Sequence, residues 1–291
     1  MIRKLRFTVP AEYDGRKAES FLRSEVKLST RLIRSLKRSE NGITLNGEPT
    51  RTVDIIRTGD VIGVDIPCPD SDIPPSNIPL EIIYEDDDII IVNKSPFLAC
   101  HPTHNHQGDT LANALAGHLL SRGKSTAFRA VGRLDKGTSG LIVCALSKHS
   151  AARLQGNIKK EYLAVTEGGI ADSGTIDRPI YRPDPGKTLR AVGDSGDRAV
   201  THWQVVERSG SLALLRIRLE TGRTHQIRVH MASIGFPLIG DDMYGGRLPE
   251  LGHQLLHCAK SEFIHPVTGE ALCFEAEPPE DMKRVLERGK V

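Results

Sequence analysis

The chain has 291 residues with a formal net charge of +2, long enough to bury one large core and a second smaller one. Its 38% hydrophobic and 26% charged residues fit an ordinary globular protein, and no apolar run nears the roughly 20 residues of a membrane-spanning helix. Five scattered cysteines without a C-x-x-C pair argue against a disulfide or zinc framework, and an N-terminus lacking an apolar signal core predicts a cytoplasmic location.

In chain order, "RKAESFLRSEV" and "STRLIRSLKRS" predict two short helices, the second capped by Ser29 or Thr30. Arg31, Arg34 and Lys37 or Arg38 recur at three- and four-residue spacing, which puts them on one basic face, while Leu32, Ile33 and Leu36 turn inward. "GITLNG" and "DVIGVDI" predict strands closed by turns at Asn46-Gly47 and Thr58-Gly59-Asp60. Residues 1–65 carry 13 Lys and Arg against 9 Asp and Glu, whereas the rest carries 26 against 28, so an anionic partner is expected at this head. The proline-rich stretch Ile66–Pro79 predicts a linker, dividing residues 1–65 from a body over 80–291.

In the body, "LEIIYEDDDIIIVNK" predicts two strands and "DTLANALAGHLLSR" a helix capped by Asp109 or Thr110. "KEYLAVTEG", "VTHWQVVERS", "LALLRIRLET" and "EALCFEAEPP" predict strands, and "RTHQIRVHMASIG" and "EDMKRVLER" helices. Strands bunch without βαβ alternation, so the expected class is α+β with a mixed, largely antiparallel sheet.

The stretch "VGRLDKGTSGLIVCA" holds one acid, Asp135, between Arg133 and Lys136. Gly132 and Gly137 have phosphate-loop spacing, but Thr138 stands where that loop needs lysine, and a strand follows where a helix should open. A nucleophile elbow fails too, because Leu141 occupies the second glycine position after Ser139. A lone Asp beside glycine is ordinarily a turn former. Among possible metal sites, His101, His104 and His106 could ligate zinc, while His253 and His257 lack the glutamate of a metalloprotease helix.

"GRLDKGTSGLIV" closely resembles the central motif of the RluA-type pseudouridine synthases. "IIIVNKSPFLACHPT", "KKEYLAV", "LETGRTHQIRVHMASIGFPLIGDDMYGG" and "QLLHCAKSEFIHPVTGE" follow in that family's order, over about residues 80–275. Gly132 stands where the family usually has histidine, and Ser95-Pro96 where Lys-Pro is common. The head is similar to the ribosomal-protein-S-four-like (alpha-L) RNA-binding domain, over roughly residues 15–65.

The resemblance implies a pseudouridine synthase fold and an isomerase that detaches uracil from ribose, rotates it and rejoins it through carbon 5. No cofactor and no metal are implied. Asp135 is then the catalytic carboxylate, as nucleophile on sugar or base or as a base toward a glycal. Arg228 is its fixed cation, able to bind a carboxylate through two parallel bonds. Tyr162 stacks on the target uracil or handles the carbon 5 proton, although a tyrosine in a strand is ordinarily core; Ile227 packs the other face. Arg133 occupies the space left by a flipped uridine or holds a phosphate, Arg223 contacts RNA, and Arg31, Arg34, Lys37 and Arg38 track phosphates. The expected partner is structured RNA, ribosomal ahead of transfer RNA, with no membrane and a monomeric chain. Rival readings are a non-catalytic RNA-binding assembly factor and an RNA methyltransferase, the latter opposed by the lack of a strand followed by a glycine-rich cofactor loop.

Overall fold

The first strand, β1 (Ile2–Thr8), buries Leu5 and leaves Lys4 and Arg6 exposed, while Arg3 is half-buried on the Leu5 face. The computed structural model describes residues 1–103 and 106–289. Two short helices follow, α1 (Ala18–Ser24) and α2 (Thr30–Leu36), then β2 (Ile43–Leu45), β3 (Glu48–Pro49) and β4 (Val61–Pro67). The strands form an antiparallel sheet in the order β1-β4-β2-β3, under a core that includes Phe21, Leu22, Ile33, Leu36, Ile62 and Val64. Ser29 Oγ caps α2 by accepting from the Leu32 amide at 3.2 Å, and Asn46 takes the left-handed turn conformation, φ 54°.

Both head helices are shorter than the sequence pattern predicts. α2 ends at Leu36, so Arg31 and Arg34 lie on the helix, Lys37 is its C-cap and Arg38 follows it. All four side chains are exposed, and among the described residues none is matched by a carboxylate. The linker also begins later than expected. β4 runs to Pro67 with Ile66 fully buried, because Ile66 faces the head core. The remaining proline-rich segment is strapped to the body: the Ser71 amide donates to Thr126 Oγ1 and Asn113 Nδ2 to the Pro74 carbonyl, both at 2.8 Å. Arg3 of β1 adds a forked pair to Asp88, at 2.7 and 3.0 Å.

The body begins with β5 (Glu81–Glu85), β6 (Ile89–Lys94) and α3 (Leu111–Ser121), whose N-terminus is closed by a capping box between Thr110 and Asn113. Then come β7 (Arg129–Val131), β8 (Ser139–Ala145), α4 (Lys148–Leu154), β9 (Lys159–Glu167) and β10 (Ser173–Asp177). A two-stranded ribbon, β11 (Ile180–Tyr181) and β12 (Ala191–Val192), precedes β13 (Val200–Ser209), β14 (Leu212–Leu219) and α5 (Gln226–Ser233). The described chain closes with β15 (Leu256–Ile264), β16 (Ala271–Glu275) and α6 (Glu280–Arg288). The large sheet runs β10-β13-β14-β9-β15-β8-β6-β5, with β16 on β15 and β7 on β8. Among the described strands only β8 and β15 pair in parallel, so the sheet is mixed and largely antiparallel, as the strand pattern predicts.

That parallel junction depends on a glycine. Gly140 has φ 104°, and a Cβ there would lie 2.3 Å from the Cys258 carbonyl oxygen. The close approach brings β8 and β15 together at the sheet centre and sets the loop before β8 beside β9. Among the described residues no helix is long and apolar enough to cross a membrane.

Candidate active site

The loop between β7 and β8 carries Asp135 and is held by donors from four other segments. Lys160 Nζ donates to the Gly132 carbonyl at 2.6 Å, and Cys100 Sγ to that of Leu134 at 3.1 Å. Lys94 Nζ donates to the Lys136 carbonyl at 3.0 Å, and Gln254 Nε2 to Thr138 Oγ1 at 2.9 Å. The backbone on both sides of Asp135 is therefore fixed before any substrate arrives, which is what a precisely aimed side chain needs. Gly132 also finds its reason here. Its φ of 69° is left-handed, and a Cβ would start 3.3 Å from Lys160 Nζ.

Lys94, at the end of β6, is 1% exposed and directs its ammonium to the carbonyls of Ser95, Leu98 and Lys136, each within 3.0 Å. Burial pushes this ammonium down to about 8, with Asp135 pulling the other way. Lys94→Met is expected to cost about 2–3 kcal/mol, because three carbonyls lose a donor and methionine fills the volume without replacing it. Urea unfolding measures this; an unchanged midpoint would deny that Lys94 ties the two loops.

The opposite wall comes from α5. Its start is anchored to β13 by Gln226, whose Nε2 donates to the Val200 carbonyl at 2.9 Å and whose Oε1 accepts from the Arg223 amide at 2.9 Å. His225 takes the left-handed N-cap position, φ 57°, and Arg228 follows one turn later, 6% exposed. Arg228 does not fork onto Asp135. Nε and Nη2 bind the two carboxylate oxygens of fully buried Asp241, both at 2.7 Å, and Nη1 is left facing Asp135 Oδ2 at 3.6 Å. The Tyr244 ring packs against the guanidinium, 5.1 Å from Cζ. The two-bond geometry expected for Asp135 is thus corrected to Asp241, the nearer acid in the chain.

Tyr162 reaches the same place from β9, where it pairs with Ile217 and Cys258. Burial holds its phenol well above the usual value, helped by the negative charge of Asp135, so the hydroxyl stays protonated. Asp135, Tyr162, Arg228, Arg133, Arg223 and Ile227 line one cavity of about 590 Å³. Arg133 is exposed at its edge, and Arg223 is paired to Asp197 at 3.0 Å. The basic residues of α2 belong to the head and line no part of this cavity.

Lys94, Lys160, His225 and Asp241 fall within the quoted motifs, yet the sequence reading gave none of them a role. A signal for Asp241 existed, since an arginine on the inner face of a helix needs a nearby carboxylate, and "GDDMYGG" lies 12 residues on. The histidines considered as metal ligands go to separate partners. His257 Nδ1 meets Ser139 Oγ at 2.9 Å, His253 Nε2 meets Asp281 at 2.7 Å, and His106 Nδ1 meets Asp109 at 2.7 Å. His101 lines the cavity, and His104 lies outside the described residues. The one metal-like grouping among the described residues, Asp86, Asp88 and His265, is already engaged by Arg3, the Tyr84 hydroxyl and an Asp86–His265 contact of 2.9 Å.

One cavity thus brings together an acid on a braced loop, a buried arginine and a protonated tyrosine. The model of the RNA pseudouridylate synthase family matches residues 88–233, and the chain belongs to that family. It is of the RluA type, and hence an isomerase. Uncharacterized RNA pseudouridine synthase YjbO of Bacillus subtilis is 35% identical over 270 residues, covering 90% of this chain and 95% of that protein. Ribosomal large subunit pseudouridine synthase D of Vibrio cholerae is 39% identical over 264 residues, covering 84% and 82%. Human RNA pseudouridylate synthase domain containing 1 superposes with a TM-score of 0.57 at 28% identity, over 71% of this chain and 86% of its own.

Proposed function

We propose that this chain converts uridine to pseudouridine in large-subunit ribosomal RNA, with Asp135 as the catalytic carboxylate. The observation that carries the reading is the placement of Asp135: 18% exposed in a cavity shared with Tyr162, with Arg228 3.6 Å from Oδ2. The relatives named for the large ribosomal subunit supply the substrate class. Tyr162 offers the uracil a flat apolar face and a phenol that keeps its proton, and Ile227 packs the other side. A uridine within a helix reaches this cavity only after leaving its stack, and Arg133 at the edge is placed to fill the gap. The head acts as an S-four-like RNA-binding domain, in which Arg31, Arg34, Lys37 and Arg38 hold phosphates.

Incubating the purified chain with large-subunit RNA tritiated at carbon 5 of uridine tests the reading. Release of tritium without cofactor is expected. Binding without release would make the chain an assembly factor, and release from transfer RNA alone would replace the substrate. For the head, Arg31→Ala with Arg34→Ala in the full chain should weaken binding evenly across RNA sequences. The slope of log affinity against log salt should fall by about one for each phosphate that no longer meets an arginine. An unchanged slope would remove α2 from the RNA interface.

A further inference from the structure

Two groups from α5 face Asp135, and the closest approach of each is to the same oxygen. Arg228 Nη1 lies 3.6 Å and His225 Nε2 3.9 Å from Oδ2, while no described residue donates a hydrogen bond to Oδ1. Arg228 is held by Asp241, so its direction is explained. The direction of His225 is set by Tyr244, which lies in a one-turn 3-10 helix, Asp242–Tyr244.

Tyr244 Oη accepts the Arg190 amide proton at 3.0 Å and lies 3.0 Å from His225 Nδ1. Its ring meets the His225 ring edge-on, with centroids 5.8 Å apart and planes at 89°. Arg190 already fills one acceptor position of the phenol oxygen, which leaves its single proton free to point to Nδ1. An imidazole accepting at Nδ1 carries its own proton on Nε2, the nitrogen facing the carboxylate. The opposite tautomer would set a nitrogen lone pair against Asp135. Burial lowers the tendency of His225 to take a second proton; Arg228 and Arg190 act the same way, and Asp135 and Asp241 oppose them.

We propose that His225 is a positioning residue for Asp135: the chain Arg190–Tyr244–His225 fixes the Nε2–H tautomer, which holds Oδ2 and leaves Oδ1 as the reacting oxygen. This rests on Asp135 being the catalytic carboxylate. At 3.9 Å the contact is longer than a hydrogen bond, and it closes, directly or through one water, when substrate fills the cavity.

Nitrogen-15 NMR of histidine-labelled protein, with His225 assigned by its loss in His225→Asn, is expected to show the proton on Nε2. Tyr244→Phe, which keeps the ring, should abolish that preference. In kinetics, His225→Asn, whose amide reaches only the Nδ1 position, should lower kcat up to about a hundredfold at unchanged KM. His225→Gln, whose amide reaches the Nε2 position, should recover most of it. A proton on Nδ1 in the free protein, or a wild-type kcat in His225→Asn, overturns the proposal. Should His225→Asn fail to fold, an unchanged kcat in Tyr244→Phe does the same. Asp135→Asn, assayed alongside, separates the two readings. Activity retained there sinks the catalytic carboxylate itself, whereas its loss beside an unaffected His225→Asn sinks only the positioning role.

Discussion

Asp135→Asn is expected to bring tritium release from carbon 5 of uridine to background, a loss on the order of a thousandfold or more, the scale on which deleting an essential nucleophile or base acts. Asparagine has nearly the same shape but neither attacks nor takes a proton at neutral pH, so every route open to the carboxylate closes together. Stability should survive the change. Arg228 keeps both bonds to Asp241, and no buried charge is stranded when Asp135 becomes neutral. RNA affinity should also hold, because the exposed bases Arg31, Arg34 and Arg133 are untouched. Release at the wild-type rate would refute the assignment. A lowered unfolding midpoint would instead mean that Asp135 carries part of the neutralisation of Arg228.

Arg228→Met should do the reverse, striking the fold as well as the chemistry. It strands Asp241, fully buried, and breaking a buried pair from one side costs about 3–5 kcal/mol. The double change Arg228→Met with Asp241→Leu removes both charges and should return most of that stability, since a buried pair is worth little against well-packed apolar side chains. Activity should stay lost, because Asp135 then lacks the cation facing Oδ2. Chemical unfolding and tritium release, measured on the same three proteins, check the two effects separately. A double variant that isomerises uridine at the wild-type rate would reduce Arg228 to a structural residue.

How far the sequence could be read depended on whether a feature is local. Helix caps at Ser29 and Thr110, the Asn46-Gly47 turn and the strands β5, β6, β8, β9, β13, β14 and β16 follow from neighbours a few residues apart, and they formed where the pattern placed them, whereas the short β7 and β10 were not anticipated. β1 was not anticipated, because four of its seven residues are Arg, Lys or Thr and only its pairing with β4 makes it a strand. Head helices came out short and β4 ended one residue further on, at Pro67, for the same reason: core packing, not propensity, decides where a weak element stops. Gly132 made no sense as a letter in a motif. It became intelligible once Lys160, from another strand, was seen closing on its carbonyl.

By itself the sequence determined the chemistry of the parts: one acid in a glycine-punctuated loop, a tyrosine in a strand, an arginine in a helix, and a basic head. These are properties of short segments, set by side-chain type and spacing. Only the tertiary structure decided which acid takes the fork of Arg228, and it chose Asp241, leaving Asp135 a single nitrogen at 3.6 Å. The physical reason is that a buried guanidinium goes to the carboxylate whose backbone can bring two oxygens into its plane. That is fixed by how α5, the segment after it and the β7–β8 loop meet across the sheet, a distance in space that no spacing along the chain encodes.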